Sequence, residues 1–567
     1  MKLNHGLLAA VILLSWSIAG FAQTKTWTGG GDGVSWANGS NWSGGTVPGP
    51  ADDVAITSGA GSGVVICVSD VTVRSIQCAK TFTISGRTLA LTAGASQFSG
   101  PLSISNSAML MVNGVGSSVT ASGATVTADN DFYATSGGVI HLPNLKYIIN
   151  NNQTATWHAD GAGSLIDLSS LTNLTLGYFR KLHVEAYNGG RVDLPRLASA
   201  AGAVQVDARD PGTVVDLSGM AGRWTSPADS ELALQAQTGA SILIPNVTQL
   251  EYASLRVDDT GMITTAQLNL LTNVTLTVSG SVPNFVGLTN IDDTDVYALN
   301  GGVAHLTNVF RATHGNENPT WRADGTGSLV DLSSLTSLTV GYYRALYVQA
   351  YNGGKVDLRR LTSLTTGSVQ VTADGTGSVI DLSTLSGFVS VGSSSSSLTA
   401  RNGGVILLNS QAFLLANVAI NIPPGNPVLP PTLTASSMLT LYGQPWHSYW
   451  VEKRDTRSNT NPWVFVARIP LTVALQPVTF AAANTEYQVW DFIADPPILD
   501  IFPAAGHQIQ FVIYDTPGKS NQLLTTVSVE PGATWQPGTV TSMTNAFRIL
   551  PPIPAPDPAC FYRAKRL

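Results

Sequence analysis

Three polar residues in the first half of the chain hold equivalent places in short apolar segments. They are His158 in Trp157-His158-Ala159, Glu185 in Val184-Glu185-Ala186 and Asp207 in Val206-Asp207-Ala208. If these segments are strands stacked in register, the three side chains share one face, about 4.8 Å apart per step. Two carboxylates and a histidine that close could do acid–base work, because like charges raise one carboxyl pKa. Polysaccharide lyases and glycosidases build sites of this kind on β-helix faces. A second copy of the segments carries Arg322, Gln349 and Thr372 in the same places, after Trp321, Val348 and Val371. The block is therefore built without the constellation, and the face reads as solvated, with catalysis the competing reading. Trp157 and Trp321 share their positions with valines and read as core.

A second column is more regular. Asp167, Asp193 and Asp216 recur as Asp331, Asp357 and Asp381, each just before a leucine. Stacked like charges repel, so they need backbone N–H donors, outward splay or calcium; capping of the turns that follow is the simpler reading. Tyr178, Arg180 and Tyr187 return as Tyr342, Arg344 and Tyr351, and form the candidate glycan-contacting set, since aromatic faces and guanidinium forks suit sugar rings and anionic groups. Cys67 and Cys78 lie close enough in sequence to bridge or to remain buried thiols, and Cys560 is left over. Nucleotide loops, zinc-cluster spacings, HExxH, GxSxG and EF-hand loops do not occur, so no cofactor is called for beyond calcium at the aspartates.

These columns exist only because the chain repeats. The stretch TWHADGAGSLIDLSSLTNLTLGYFRKLHVEAYNGGRVDLPRL from Thr156 returns as TWRADGTGSLVDLSSLTSLTVGYYRALYVQAYNGGKVDLRRL from Thr320, an offset of 164 residues. Within each block a hydrophobic-x-Leu landmark recurs from His141 to Leu407, about every 24 residues. One shorter, irregular unit falls near Val282. Each unit reads as two or three short strands parted by Gly turns, and no unit has the composition for a helix. Such units bury their apolar faces only by stacking. The expectation is an all-β chain whose solenoid is a right-handed parallel β-helix. The alternative, a leucine-rich-repeat horseshoe, fits Leu168, Leu171, Leu174 and Leu176 but lacks the usual Asn or Cys position.

The ends carry different signals. Trp27, Gly29 to Gly31, Trp36, Asn41-Trp42, Pro48 and Asp52-Asp53-Val54 resemble the opening segment of secreted bacterial β-solenoid proteins of the autotransporter-adhesin type. The resemblance implies a cap whose tryptophans shield the first rung; a carbohydrate-binding tryptophan trio is the alternative. Tyr449, Val451, Glu452, Trp463, Val466, Ile469 and the closing Phe561-Tyr562-Arg563 resemble C-terminal β-sandwich modules of exported Verrucomicrobia-type proteins. The stretch from Gln508 to Val529 is longer than one such module needs.

The chain has 567 residues, only 11% of them charged, and a net charge of −7, so it offers no basic field for nucleic acid. Lys2, the apolar run from Gly6 and the small residues ending at Ala22 read as a signal peptide, with no later span of membrane length. The expected organisation is a signal peptide at 1–22, a Trp-rich cap and first rungs at 23–110, and a duplicated solenoid at 111–420. A Pro-rich linker at 421–433 and C-terminal β-sandwich modules at 434–567 follow. The expected role is structural or adhesive, at the bacterial surface or secreted, with extracellular glycan or cell-surface components as partners. The reading leans away from an enzyme. An extracellular polysaccharide lyase or glycoside hydrolase, and a non-catalytic glycan-binding module, are the alternatives.

Overall fold

The structure is a computed structural model describing residues 23–59, 63–150, 153–177, 180–226, 232–408, 414–421, 432–433, 439–442, 446–455, 462–472, 475–478, 485–556 and 560–567. The expected signal peptide and most of the Pro-rich linker lie outside the described residues. The chain forms a parallel β-solenoid of about 15 turns, its coils about 23 residues apart, followed by antiparallel sheets. Strand accounts for 56% of the described residues and no α-helix is present among them, which removes the horseshoe. The described residues fall into two compact units that divide between Gly219 and Met220.

In the first unit every coil contributes strands to parallel ladders. Ala155–Asp160, Lys181–Tyr187 and Ala203–Ala208 pair in register on one face. Leu165–Asp167, Arg191–Asp193 and Val214–Asp216 pair on a second, and Tyr147–Asn150, Asn173–Leu176 and Ser199–Ala201 on a third. Strand side chains alternate in direction, so every second residue points inward. Leu110, Phe132, Trp157, Val184 and Val206 thus form one continuous interior column, each at most 1% exposed. Trp157 packs against the ring of Phe132 at 5.8 Å.

The cap closes the first coils. Trp27, Trp36 and Trp42 are buried and meet edge to face at 4.6–4.9 Å, and Trp36 stands against Phe82. Asn41 locks the loop: its Oδ1 accepts from the N–H of Gly31 and Gly33, and its Nδ2 donates to Asp32 and to the Ser35 carbonyl. The tryptophans are core, and the sugar-binding alternative for them falls.

The second unit repeats the coil. Asp131–Thr135, Val139–His141 and Lys181–Tyr187 reappear as Asp295–Leu299, Val303–His305 and Ala345–Tyr351, with the sequence offset preserved. Its interior column runs Leu276, Val296, Trp321, Val348, Val371, Leu398. At the irregular unit, the long strands Asn246–Asp258 and Leu270–Ser279 pair, and the segment around Val282 carries no strand.

The C-terminal sheets are antiparallel. Ser448–Asp455 lies between Val464–Pro470 and Thr485–Phe492, and its inward residues Tyr449 and Val451 pack with Leu441, Ile469 and Leu471. The extra length from Gln508 is a further set of sheets. Gln508–Tyr514 pairs with Ile498–Ala504, while Ser520–Thr526 pairs with Gln536–Ser542 and with the final strand Phe561–Arg566.

Candidate functional site

The stacking expected from the sequence places His158, Glu185 and Asp207 in one register column, with Tyr133 one coil before. The histidine Nδ1 lies 2.9 Å from Glu185 Oε2. Its ring stands 5.5 Å from that of Tyr133 and 5.3 Å, edge on, from that of Tyr187. Asp207 does not join this pair. It accepts from Arg209 Nε at 2.9 Å and from the Tyr187 hydroxyl at 3.2 Å, while the Arg209 guanidinium lies over the Tyr187 ring.

Electrostatics follow from these partners. The hydrogen bond with His158 holds the Glu185 carboxyl below the ordinary glutamate value, against a smaller opposing effect of burial. Burial, helped by the Asp207 charge, pushes the Tyr187 phenol up. A general acid needs a carboxyl raised toward neutrality, and Glu185 is shifted the other way. The two carboxylates of this face are each held by a separate partner, Glu185 by His158 and Asp207 by Arg209 and Tyr187. Arg209 and Tyr133 were missed in the sequence, although the two-residue step from Asp207 to Arg209 is the signal that finds the arginine.

In the second block Arg322 pairs with Asp324 and lies over the Tyr351 ring at 4.5 Å. Gln349 and Thr372 follow it in the column. What both blocks keep is one step along the strand. Asp131 accepts from the Thr156 N–H and Asp295 from the Thr320 N–H, each at 2.7 Å, and burial raises both carboxyls.

The aspartate column also stacks in register, Asp167 on Asp193 on Asp216, and Asp331 on Asp357 on Asp381. Its members cap turns. Oδ1 of Asp167, Asp216, Asp331, Asp357 and Asp381 accepts the N–H two residues on, at 2.9–3.1 Å. At Asp193 that residue is Pro195, which has no N–H, and Arg191 donates instead at 2.6 Å. His141 and His305 head the two columns, 2.6 and 2.9 Å from Asp167 and Asp331. Among the described residues, no group of three or more His, Cys, Asp or Glu side chains is placed to hold a metal ion.

The tyrosine–arginine set divides. Tyr178 lies outside the described residues, and Arg180 is exposed in the turn before Lys181–Tyr187. Tyr342 and Tyr343 are exposed, with ring centroids 4.8 Å apart, and Arg344 follows them. Tyr187 and Tyr351 close the strands that these turns open, about 20 Å further along, and belong to the polar ladder. The duplicated set is therefore not one patch. Cys67 and Cys78 are free, buried thiols rather than a disulfide, and burial pushes the Cys78 thiol up to about 11. A groove of about 450 Å³ lined by Ile242, Met262, Ile263, Val282 and Pro283 sits at the irregular unit, and none of the candidate residues lines it.

Compared with protein-family models, curated proteins and solved structures, the chain has no match.

Proposed function

We propose that the chain is an exported structural or adhesive β-solenoid of the bacterial surface or extracellular space. The observation that carries this reading is what the duplication preserves. The interior column recurs 164 or 165 residues on, as Trp157, Val184 and Val206 become Trp321, Val348 and Val371, whereas the outward His–Glu–Asp column becomes Arg–Gln–Thr. A stacked coil needs its interior and its turns, and a scaffold needs nothing more. The exposed turn Tyr342-Tyr343-Arg344 is the solenoid's candidate contact with polysaccharide. Replacing both Tyr178–Arg180 and Tyr342–Arg344 by alanine should weaken attachment to a polysaccharide-coated surface more than tenfold, and either pair alone less. Equal attachment of the double variant would reduce the repeats to a spacer.

The enzymatic alternative is tested separately. Glu185→Ala with Asp207→Ala should leave any biological activity unchanged, and the parent should release no new reducing ends or unsaturated products from polysaccharide. Cleavage by the parent that drops at least ~100-fold in the folded double variant would replace the scaffold reading with a catalytic one.

A further inference from the structure

The strand Ser448–Asp455 spends only one of its faces on the fold. Tyr449 and Val451 point into the core formed with Leu441, Ile469 and Leu471. A register shift between Val451 and Glu452 locally re-aims the strand, the usual effect of a bulge. On the other face Trp450 lies directly opposite Trp490 on one neighbour and opposite Arg468 on the other. Glu452 stands between the indoles: Oε1 accepts from Trp450 Nε1 at 3.2 Å, and Oε2 from Trp490 Nε1 at 3.3 Å. Phe465 extends the row, its ring 4.3 Å from that of Trp450. Behind it the Arg468 guanidinium lies over Phe465 and pairs with Asp500. Trp490 is 54% exposed and Phe465 is 42% exposed.

We propose that this aromatic shelf binds a neutral polysaccharide. Two large rings in solvent add nothing to the core, which the opposite face already fills. One carboxylate holds both indole N–H groups, so the rings are oriented before a ligand arrives, and little conformational freedom is lost on binding. Flat rings offer apolar faces to the C–H faces of pyranose rings, and the part-buried Arg468–Asp500 pair braces Phe465 from behind. The charge at the centre of the shelf selects among glycans. The Glu452 carboxylate disfavours uronates and sulfates, which leaves uncharged pyranose polymers as the occupant whose binding needs the ring faces alone. The inference rests on the extracellular reading for a polysaccharide to lie within reach, but not on any contact made by the solenoid.

The test is retention of the purified full chain on insoluble cellulose, chitin, mannan and starch granules, with immobilised polygalacturonate as the anionic counterpart. The expected result is retention on at least one neutral polymer, lowered more than tenfold in Trp490→Ala and in Phe465→Ala. Melting temperature and circular dichroism should be unchanged in these variants, because both side chains are exposed. Glu452→Gln leaves an amide oxygen for the indoles and should keep retention within about threefold of the parent. Retention should also survive alanine at Tyr342 and Arg344, which separates this shelf from the solenoid's turn. Failure on all four neutral polymers, stronger retention on polygalacturonate, or a folded Trp490→Ala chain that binds like the parent would each overturn the proposal.

Discussion

The duplication supplies a natural experiment at single residues. Asn150 and His314 occupy the same place in the two blocks, both fully buried. Asn150 Oδ1 accepts the Asp129 N–H at 2.7 Å, and His314 Nδ1 accepts the Asp293 N–H at 3.1 Å. The His314 Nε2 is buried without a partner, and the ring meets Trp321 edge on. Burial lowers its pKa from 6.5 to about 4, against the opposing charges of Asp293 and Asp292. The folded value lies below the unfolded one, so the unfolded chain takes the proton first. Stability is full above about pH 6.5 and is lost as pH falls toward 4, by up to about 3 kcal/mol. His314→Asn should remove this acid sensitivity at little cost at pH 7.5, as Asn150 shows the site accepts that side chain. Chemical denaturation at pH 7.5 and pH 4.5 checks it; equal acid loss in the parent and the variant would be the contrary result.

The coil's corners are the next scale. Asn188 and Asn352 have φ of 52° and 50°, and the glycines after them 83° and 90°. Gly190 and Gly354 then pass so close to the neighbouring coil that an added Cβ would lie 2.2 and 2.3 Å from the carbonyl oxygens of Ala159 and Ala323. Gly190→Ala or Gly354→Ala should therefore cost about 2 kcal/mol or more, read as a fall in denaturation midpoint. Trp157→Ala should cost about 3–5 kcal/mol, through the cavity it leaves in the interior column. A glycine variant as stable as the parent would show that the corner opens readily.

Elements of this kind were legible in the sequence because repetition gives register. Once Trp157, Val184 and Val206 align, the inward and outward columns follow from strand alternation, and the aspartate turns with them. Partners within a column were not legible. Nothing in the spacing says that Asp207 turns to Arg209 while Glu185 keeps His158, since long side chains choose among several neighbours at rung distance. Arg180 and Tyr187 were grouped by their shared duplication, although they stand at opposite ends of the strand Lys181–Tyr187. The C-terminal sheets were least legible. They do not repeat, and their contacts join distant positions, such as Arg566 of the final strand, which donates to Asp515. The aromatic shelf depends on one such pairing, Trp450 opposite Trp490, and on a bulge that no periodicity announces.

For the whole molecule the 164-residue offset at Gly137 and Gly301 lets one block stand in for the other. Deleting residues 137–300 joins Ser136 to Gly301, in place of Asn300 before the same glycine; Ser136 and Asn300 have φ of 54° and 51°. The shortened chain should fold as a β-rich protein with helix below about a fifth by far-UV circular dichroism, because solenoid stability is carried by nearest-neighbour coils. It should also keep the carbohydrate retention that depends on Trp490. A shortened chain that aggregates or gains helix would show that the two blocks are not interchangeable.

The tryptophan cap has a consequence beyond stability. A parallel solenoid ends in a row of unpaired N–H and C=O groups over an apolar cross-section, and each such end matches the opposite end of another copy. Contacts of that head-to-tail kind do not close on themselves and grow into filaments. Trp27, Trp36 and Trp42 seal one of these ends, with the Asn41-locked loop laid across it. Plugging the apolar cross-section at this end takes away the hydrophobic half of any such head-to-tail contact.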